Sequence, residues 1–218
     1  MLLRQALASG CNAPPTSSLG RLIDAAASLL DCCQILSAEG EGGLRLEGLA
    51  AQAPTDGVAY PLPLRPASGP SVPLLGWLDW QPLLAALLAD GVARIGGPER
   101  AARLQRGLAE GLVAAAAAAA RRFNVQAVAL GGGCFQNRLL LEGCISGLRR
   151  HGLQPHWGQQ VPGNDGGLAV GQLWATLPFI SITTPESTVP THVSGFARPH
   201  RVDSGGPPAR CGHGGAGR

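Results

Sequence analysis

From Ser18 to Leu36 apolar residues return every three or four positions, at Leu19, Leu22, Ile23, Ala26, Leu29, Leu30 and Cys33. Gly20, Arg21, Asp24, Ser28 and Asp31 fall on the opposite side. That period predicts an amphipathic helix over 18–36, with Thr16, Ser17 and Ser18 as N-cap oxygens. Glu41 to Ala51 reads as a second, shorter helix. Val58–Leu64 and Val72–Trp80 have short β-like patterns, and Pro61, Pro63 and Pro66 confine the first to a sheet edge. Trp80 to Ala89 predicts a helix stopped by Asp90–Gly91. The longest helical pattern is Pro98–Arg122. Proline opens it, Leu104, Leu108, Leu112, Ala115 and Ala119 form its apolar side, and Glu99 precedes Arg103 by the favourable four positions. Its polyalanine half predicts close packing against a sheet.

The pattern then changes period. Val125–Leu130 is a short apolar strand broken by Gly131–Gly132–Gly133, and Phe135–His151 is a helix with Arg149, Arg150 and His151 at its negative end and Gly152 as its stop. Leu153–Trp157 is a second strand, 161–167 a loop, and Leu168–Leu177 a closing helix. Strand, glycine turn, helix, strand, loop, helix is an α/β order. Residues 1–177 suffice for one core. Residues 178–218 hold six prolines, seven glycines and eight serines or threonines; that composition predicts a disordered tail.

Two constellations could carry chemistry. Three glycines between strand and helix let a ligand lie against main chain, beside free helical N–H groups, and Asn137 in the first turn can aim its amide at the same spot. The alternative reading is tight packing. In Asn164–Asp165–Gly166–Gly167, Asp165 is either a helix N-cap or a carboxylate at a metal or phosphate site. Arg21 and Asp24 could be a plain surface pair.

Composition narrows the field. All basic residues are arginine, so a Walker-type lysine is excluded, and with the arginines scattered singly or in pairs there is no clustered footprint for nucleic acid. No apolar run reaches membrane-spanning length and no secretory signal is evident, so the expected location is cytoplasmic. The six cysteines form no C-x-x-C or zinc-like spacing and read as incidental thiols. His151 and His156 are not spaced as a helical ligand pair.

Three segments together resemble one family. Thr16-Ser-Ser-Leu-Gly-Arg-Leu-Ile-Asp-Ala25, Leu130-Gly-Gly-Gly-Cys-Phe-Gln-Asn137 and Pro162-Gly-Asn-Asp-Gly-Gly-Leu-Ala-Val-Gly-Gln172 are similar, in order, to motifs of the hydrogenase-maturation carbamoyltransferases of the HypF type. The resemblance covers about 2–177 and implies an α/β fold. That fold is the second lobe of an actin/Hsp70/sugar-kinase-like (ASKHA, RNase H-like) nucleotide-binding domain, close to the tRNA threonylcarbamoyltransferases. It further implies activation of carbamoyl phosphate with ATP to a carbamoyl-adenylate. The carbamoyl group would then pass to the C-terminal cysteine of a partner maturation protein (HypE type), in the route to the cyanide ligand of nickel–iron hydrogenase.

By position, the resemblance places Gly20, Arg21 and Asp24 near the nucleotide. Gly132, Gly133 and Asn137 fall on the adenosine, and Asp165 becomes a divalent-metal ligand. The chain departs from the family in three places: Leu104-Gln105 stands for Phe-His, Gly131 for serine, and Ala38-Glu-Gly-Glu-Gly-Gly43 for roughly Y-E-G-Q-A-A. It has no H-x-x-x-H helix, which the family places on its first lobe. The implied picture is a partial site that needs the first lobe for catalysis, or else an interaction module complementing a separately encoded first lobe. Neither nucleic acid nor membrane is an implied partner.

Overall fold

The structure is a computed structural model that describes residues 2–11, 13–54, 56–67 and 76–177. The expected tail, residues 178–218, and residues 72–75 of the expected Val72–Trp80 segment lie outside the described residues.

Seven helices and two small sheets follow in order among the described residues. An exposed helix not foreseen from the sequence, α1 (Leu2–Ser9), comes first. α2 (Leu19–Leu29) starts where Ser18 Oγ accepts the Arg21 N–H at 3.4 Å. It ends seven residues before the expected Leu36. Asp31 turns left-handed, at φ 57°, and Gln34 folds back to donate to the Ser28 carbonyl, so local side-chain bonds replace helical ones. α3 (Glu41–Ala50) is the expected short helix.

β1 (Leu64–Pro66) and β2 (Gly76–Leu78) pair antiparallel, Leu64 opposite Leu78. β1 takes up only the last residue of the expected Val58–Leu64 strand, because Pro61 and Pro63 cannot donate to a ladder. α4 (Gln81–Val92) runs through Asp90–Gly91, which the sequence predicted as its stop. Tertiary bonds override that local signal. Tyr60 Oη donates to Asp90 Oδ2 at 2.7 Å, Arg103 Nη1 donates to the same oxygen at 2.8 Å, and Arg100 caps the Leu87 carbonyl.

α5 (Gly97–Phe123) is the axis of the core. Leu104 and Leu108 are fully buried, as are Leu46 of α3 and Leu83 and Leu87 of α4. The buried face then drifts to Val113, Ala117 and Ala120, and the expected Leu112, Ala115 and Ala119 are only half-buried. The long helix packs chiefly on α3 and on α6 (Arg138–Arg150), with only a minor contact to a sheet, which corrects the expected sheet packing of its alanines.

Small residues set that distance. A Cβ at Gly143 would lie 2.9 Å from Ala109 Cβ, and one at Gly147 would lie 2.6 Å from Val113 Cγ2. These pairings advance together along both chains, so α5 and α6 run parallel. β3 (Ala127–Leu130) follows α5, β4 (Gln154–Trp157) follows α6, and the two strands pair in parallel with Ala127 opposite Gln154. The chain closes with α7 (Leu168–Thr176). No helix among the described residues is long and apolar enough to cross a membrane.

Candidate functional site

A cavity of about 590 Å³ opens where the N-terminus of α2, the start of α3, the glycine turn and the 164–165 loop converge. Of the residues singled out from the sequence, Gly20, Arg21, Asp24, Gly133, Asn137 and Asp165 all line it. Gly132 does not.

Gly132 instead supports the wall from behind. It sits at φ 102°, a conformation open to glycine, and its N–H donates to the Gly163 carbonyl at 2.6 Å. That bond ties the strand-end turn to the Asn164–Asp165 loop, which the sequence places some thirty residues away. After it, residues Gly133–Gln136 form a 3-10 turn rather than the start of the expected helix.

Asn137 is the N-cap of α6, one position before the first turn in which the sequence reading put it. Its Oδ1 accepts the Leu140 N–H at 3.0 Å. Its Nδ2 has no partner among the described residues, although the residue is only 6% exposed. A buried donor without an acceptor is costly to leave so, and this one belongs to a residue on the cavity wall.

In the opposite loop Asn164, not Asp165, does the capping: its Oδ1 accepts the Gly166 N–H at 3.0 Å. Asp165 is exposed, its main-chain carbonyl accepts the Leu168 N–H, and its carboxylate makes no hydrogen bond or ion pair among the described residues. Arg21 and Asp24 do form the surface pair, at 3.0 Å, and both still face the cavity. A Cβ at Gly42 would meet Asp24 Oδ1 at 2.7 Å, so α3 can lie against that carboxylate only because position 42 is glycine.

Several lining residues were not foreseen as site residues. Glu47 Oε1 accepts the Arg138 N–H at 2.9 Å and so fixes α3 to the start of α6. Glu39 was visible only as part of the Ala38–Gly43 departure, and Cys134 only as an incidental thiol. Burial and the nearby Asp24 carboxylate push the Cys134 thiol up from its usual range, so it is a weak nucleophile. The other described cysteines are unpaired thiols, and Cys211 lies outside the described residues.

Four carboxylates, of Asp24, Glu39, Glu47 and Asp165, face the cavity with one cation, Arg21. That charge suits hydroxyl and N–H donors and opposes bare phosphates. A divalent metal is a poorer fit. No group of three or more His, Cys, Asp or Glu side chains stands at ligating spacing among the described residues. Asp165 by itself does not make a metal site.

A family model described as "Carbamoyltransferase, Kae1-like Domain, second subdomain" matches residues 1–172. The chain is 35% identical to carbamoyltransferase HypF2 of Cupriavidus necator, over 81% of this chain and 24% of that protein. It is 42% identical to carbamoyltransferase HypF of Rhodobacter capsulatus, over 78% of this chain and 21% of that protein. It thus spans about a quarter of the length of these relatives or less. Among solved structures it superposes on T. kodakarensis HypF with a TM-score of 0.69 and 27% identity, over 80% of this chain and 21% of that one. A full-length HypF in the phosphate- and nucleotide-bound form shares the fold, again with a TM-score of 0.69, at 24% identity over 78% of this chain and 22% of that one. The α/β order, the three motifs and the family model agree: the chain belongs to the carbamoyltransferase HypF family and corresponds to the second subdomain of its Kae1-like domain.

Proposed function

We propose that this chain supplies the nucleoside-binding wall of a carbamoyl-transfer site. The complete site would use carbamoyl phosphate and ATP, through a carbamoyl-adenylate, to carbamoylate the C-terminal cysteine of a partner protein in nickel–iron hydrogenase maturation. The observation that carries the reading is Asn137, a residue lining a cavity walled by Gly133 and by carboxylates, whose buried Nδ2 has no partner among the described residues. Adenine ring nitrogens accept a hydrogen bond, and ribose hydroxyls donate to carboxylates. The nucleoside end of ATP therefore matches this wall. Its phosphates need cations from the parts of the family protein beyond the quarter seen here, and so does any metal. Gly132 acts by holding the turn to Gly163.

The test is adenosine binding to the full chain, by calorimetry, for the native protein and Asn137→Asp. Aspartate keeps the capping oxygen and removes the donor. Adenosine affinity should fall by about tenfold or more, the worth of roughly one hydrogen bond, while the melting temperature holds. Equal affinity in the two proteins, or none in either, would overturn the reading.

A second reading, an interaction module that completes a separately encoded first lobe, draws on α7. None of its residues is buried, and Trp174 is 76% exposed. Exposed apolar area of that kind marks a contact surface. Mixing the chain with a first-lobe protein and scoring carbamoylation of a cysteine-terminated peptide separates the two. Transfer that Asp165→Asn abolishes makes this wall part of the chemistry, and transfer indifferent to it leaves only docking.

A further inference from the structure

The far end of the parallel α5–α6 pair carries a second surface. The arginines look scattered in sequence, but Arg121–Arg122 end α5 and Arg149–Arg150 end α6, and the strands that follow pair at Ala127 and Gln154. All four arginines are exposed, and none is in an ion pair among the described residues. Arg149 lies over the Trp157 ring at 5.9 Å. Phe123, 61% exposed, lies at the end of α5, and His151, also exposed, caps the end of α6.

We infer that this end is a docking surface for an acidic polypeptide segment. Charge complementarity selects acidity: each guanidinium offers a planar fork to a carboxylate. Phe123 supplies the apolar anchor that interfaces pair with arginine. The exposed Phe123 chooses polypeptide over nucleic acid: an apolar side chain wants an apolar partner, which a peptide carries among its acidic residues and a sugar–phosphate backbone does not. The surface is separate from the cavity, so its test is independent of the nucleoside reading.

The test uses the full chain and a fluorescein-labelled, glutamate-rich peptide carrying two leucines, followed by anisotropy at low salt. Two variants carry double reversals, Arg121→Glu with Arg122→Glu, and Arg149→Glu with Arg150→Glu. A control, Arg4→Glu with Arg94→Glu, makes the same charge change at exposed arginines elsewhere. Each patch reversal should weaken binding by about tenfold, the scale of desolvated charge pairs at interfaces, and the control by far less. If a reversal fails to fold by circular dichroism, the corresponding Arg→Gln pair replaces it, with a smaller loss in the same direction. Three outcomes overturn the inference: no peptide binding, equal weakening by the control, or tighter patch-dependent binding of labelled single-stranded RNA than of the peptide.

Discussion

α6 begins among carboxylates and ends among arginines, and both ends suit the helix dipole. The sign of the charge therefore says little about function at either end. What separates them is how far the fold uses the charged groups. At the first end Glu47 receives the Arg138 N–H, Asp24 pairs with Arg21, and Asn137 caps the helix. These groups hold the turn in place and still face the cavity. At the second end Arg121, Arg122 and Arg150 make no ion pair among the described residues, and Arg149 only covers Trp157. Charge that the fold leaves unused is the better sign of a partner, and charge the fold employs has to be tested with variants that spare its structural half.

The largest expected effect comes from breaking the element both ends share. Gly147→Val places a Cβ 2.6 Å from Val113 Cγ2 and drives α6 off α5. Overpacking of this kind costs about 3 kcal/mol. Urea denaturation should show the loss, and adenosine and peptide binding should suffer together. An unchanged midpoint would mean that the two helices are not in close contact there.

Next comes the capping half of Asn137. Asn137→Ala should cost about 1 kcal/mol of stability, and Asn137→Asp almost none. If both variants lose the same amount, the Nδ2 group is structural and the first end has no donor to spare. Gln105, deep in α5 and 4% exposed, sharpens the point from the opposite direction. Neither of its amide atoms has a partner, and it lines a second cavity of about 780 Å³ between α3, α5 and α6. Gln105→Met should stabilise the fold by about 1 kcal/mol, because it removes unpaired buried polar atoms. A loss of stability instead would show that the amide is bonded within that cavity.

The helices and their order were legible because periodicity reports burial: Ile23 and Ala26 of α2 and Leu104 and Leu108 of α5 are buried on the faces their period marks. Failures came where distant residues override local signals. Asp90 stops nothing once Tyr60 and Arg103 bind its carboxylate. The Gly132 to Gly163 bond joins two loops that only a fold brings together, and it moves Gly132 from the cavity wall to the support behind it. Glu47 could not be told from any solvent-facing glutamate of α3 without knowing that the start of α6 lies opposite. Asn164 and Asp165 are adjacent and both able to cap, so the choice between them needed the turn's geometry.

The smallest effect concerns a charge at the first end that serves the fold alone. Glu41, in the first turn of α3 beside the cavity, accepts from the Ser37 N–H at 2.6 Å, from Ser37 Oγ at 2.9 Å and from Arg45 at 2.6 Å. These bonds, the main-chain one foremost, pull its carboxyl down from the ordinary 4.5 to about 2. A carboxyl lowered by folding stabilises the native state above its unfolded value, and that contribution fades as pH falls through the folded one. Native protein should therefore exceed Glu41→Gln in stability above about pH 4.5, and the gap should close as pH falls toward about 2. Because the Arg45 partner of Glu41 is exposed to solvent, added salt should narrow the gap as well. Denaturation midpoints of the two proteins across that pH range decide it: a gap that stays constant with pH would show that Glu41 acts through packing or helix propensity rather than through its charge.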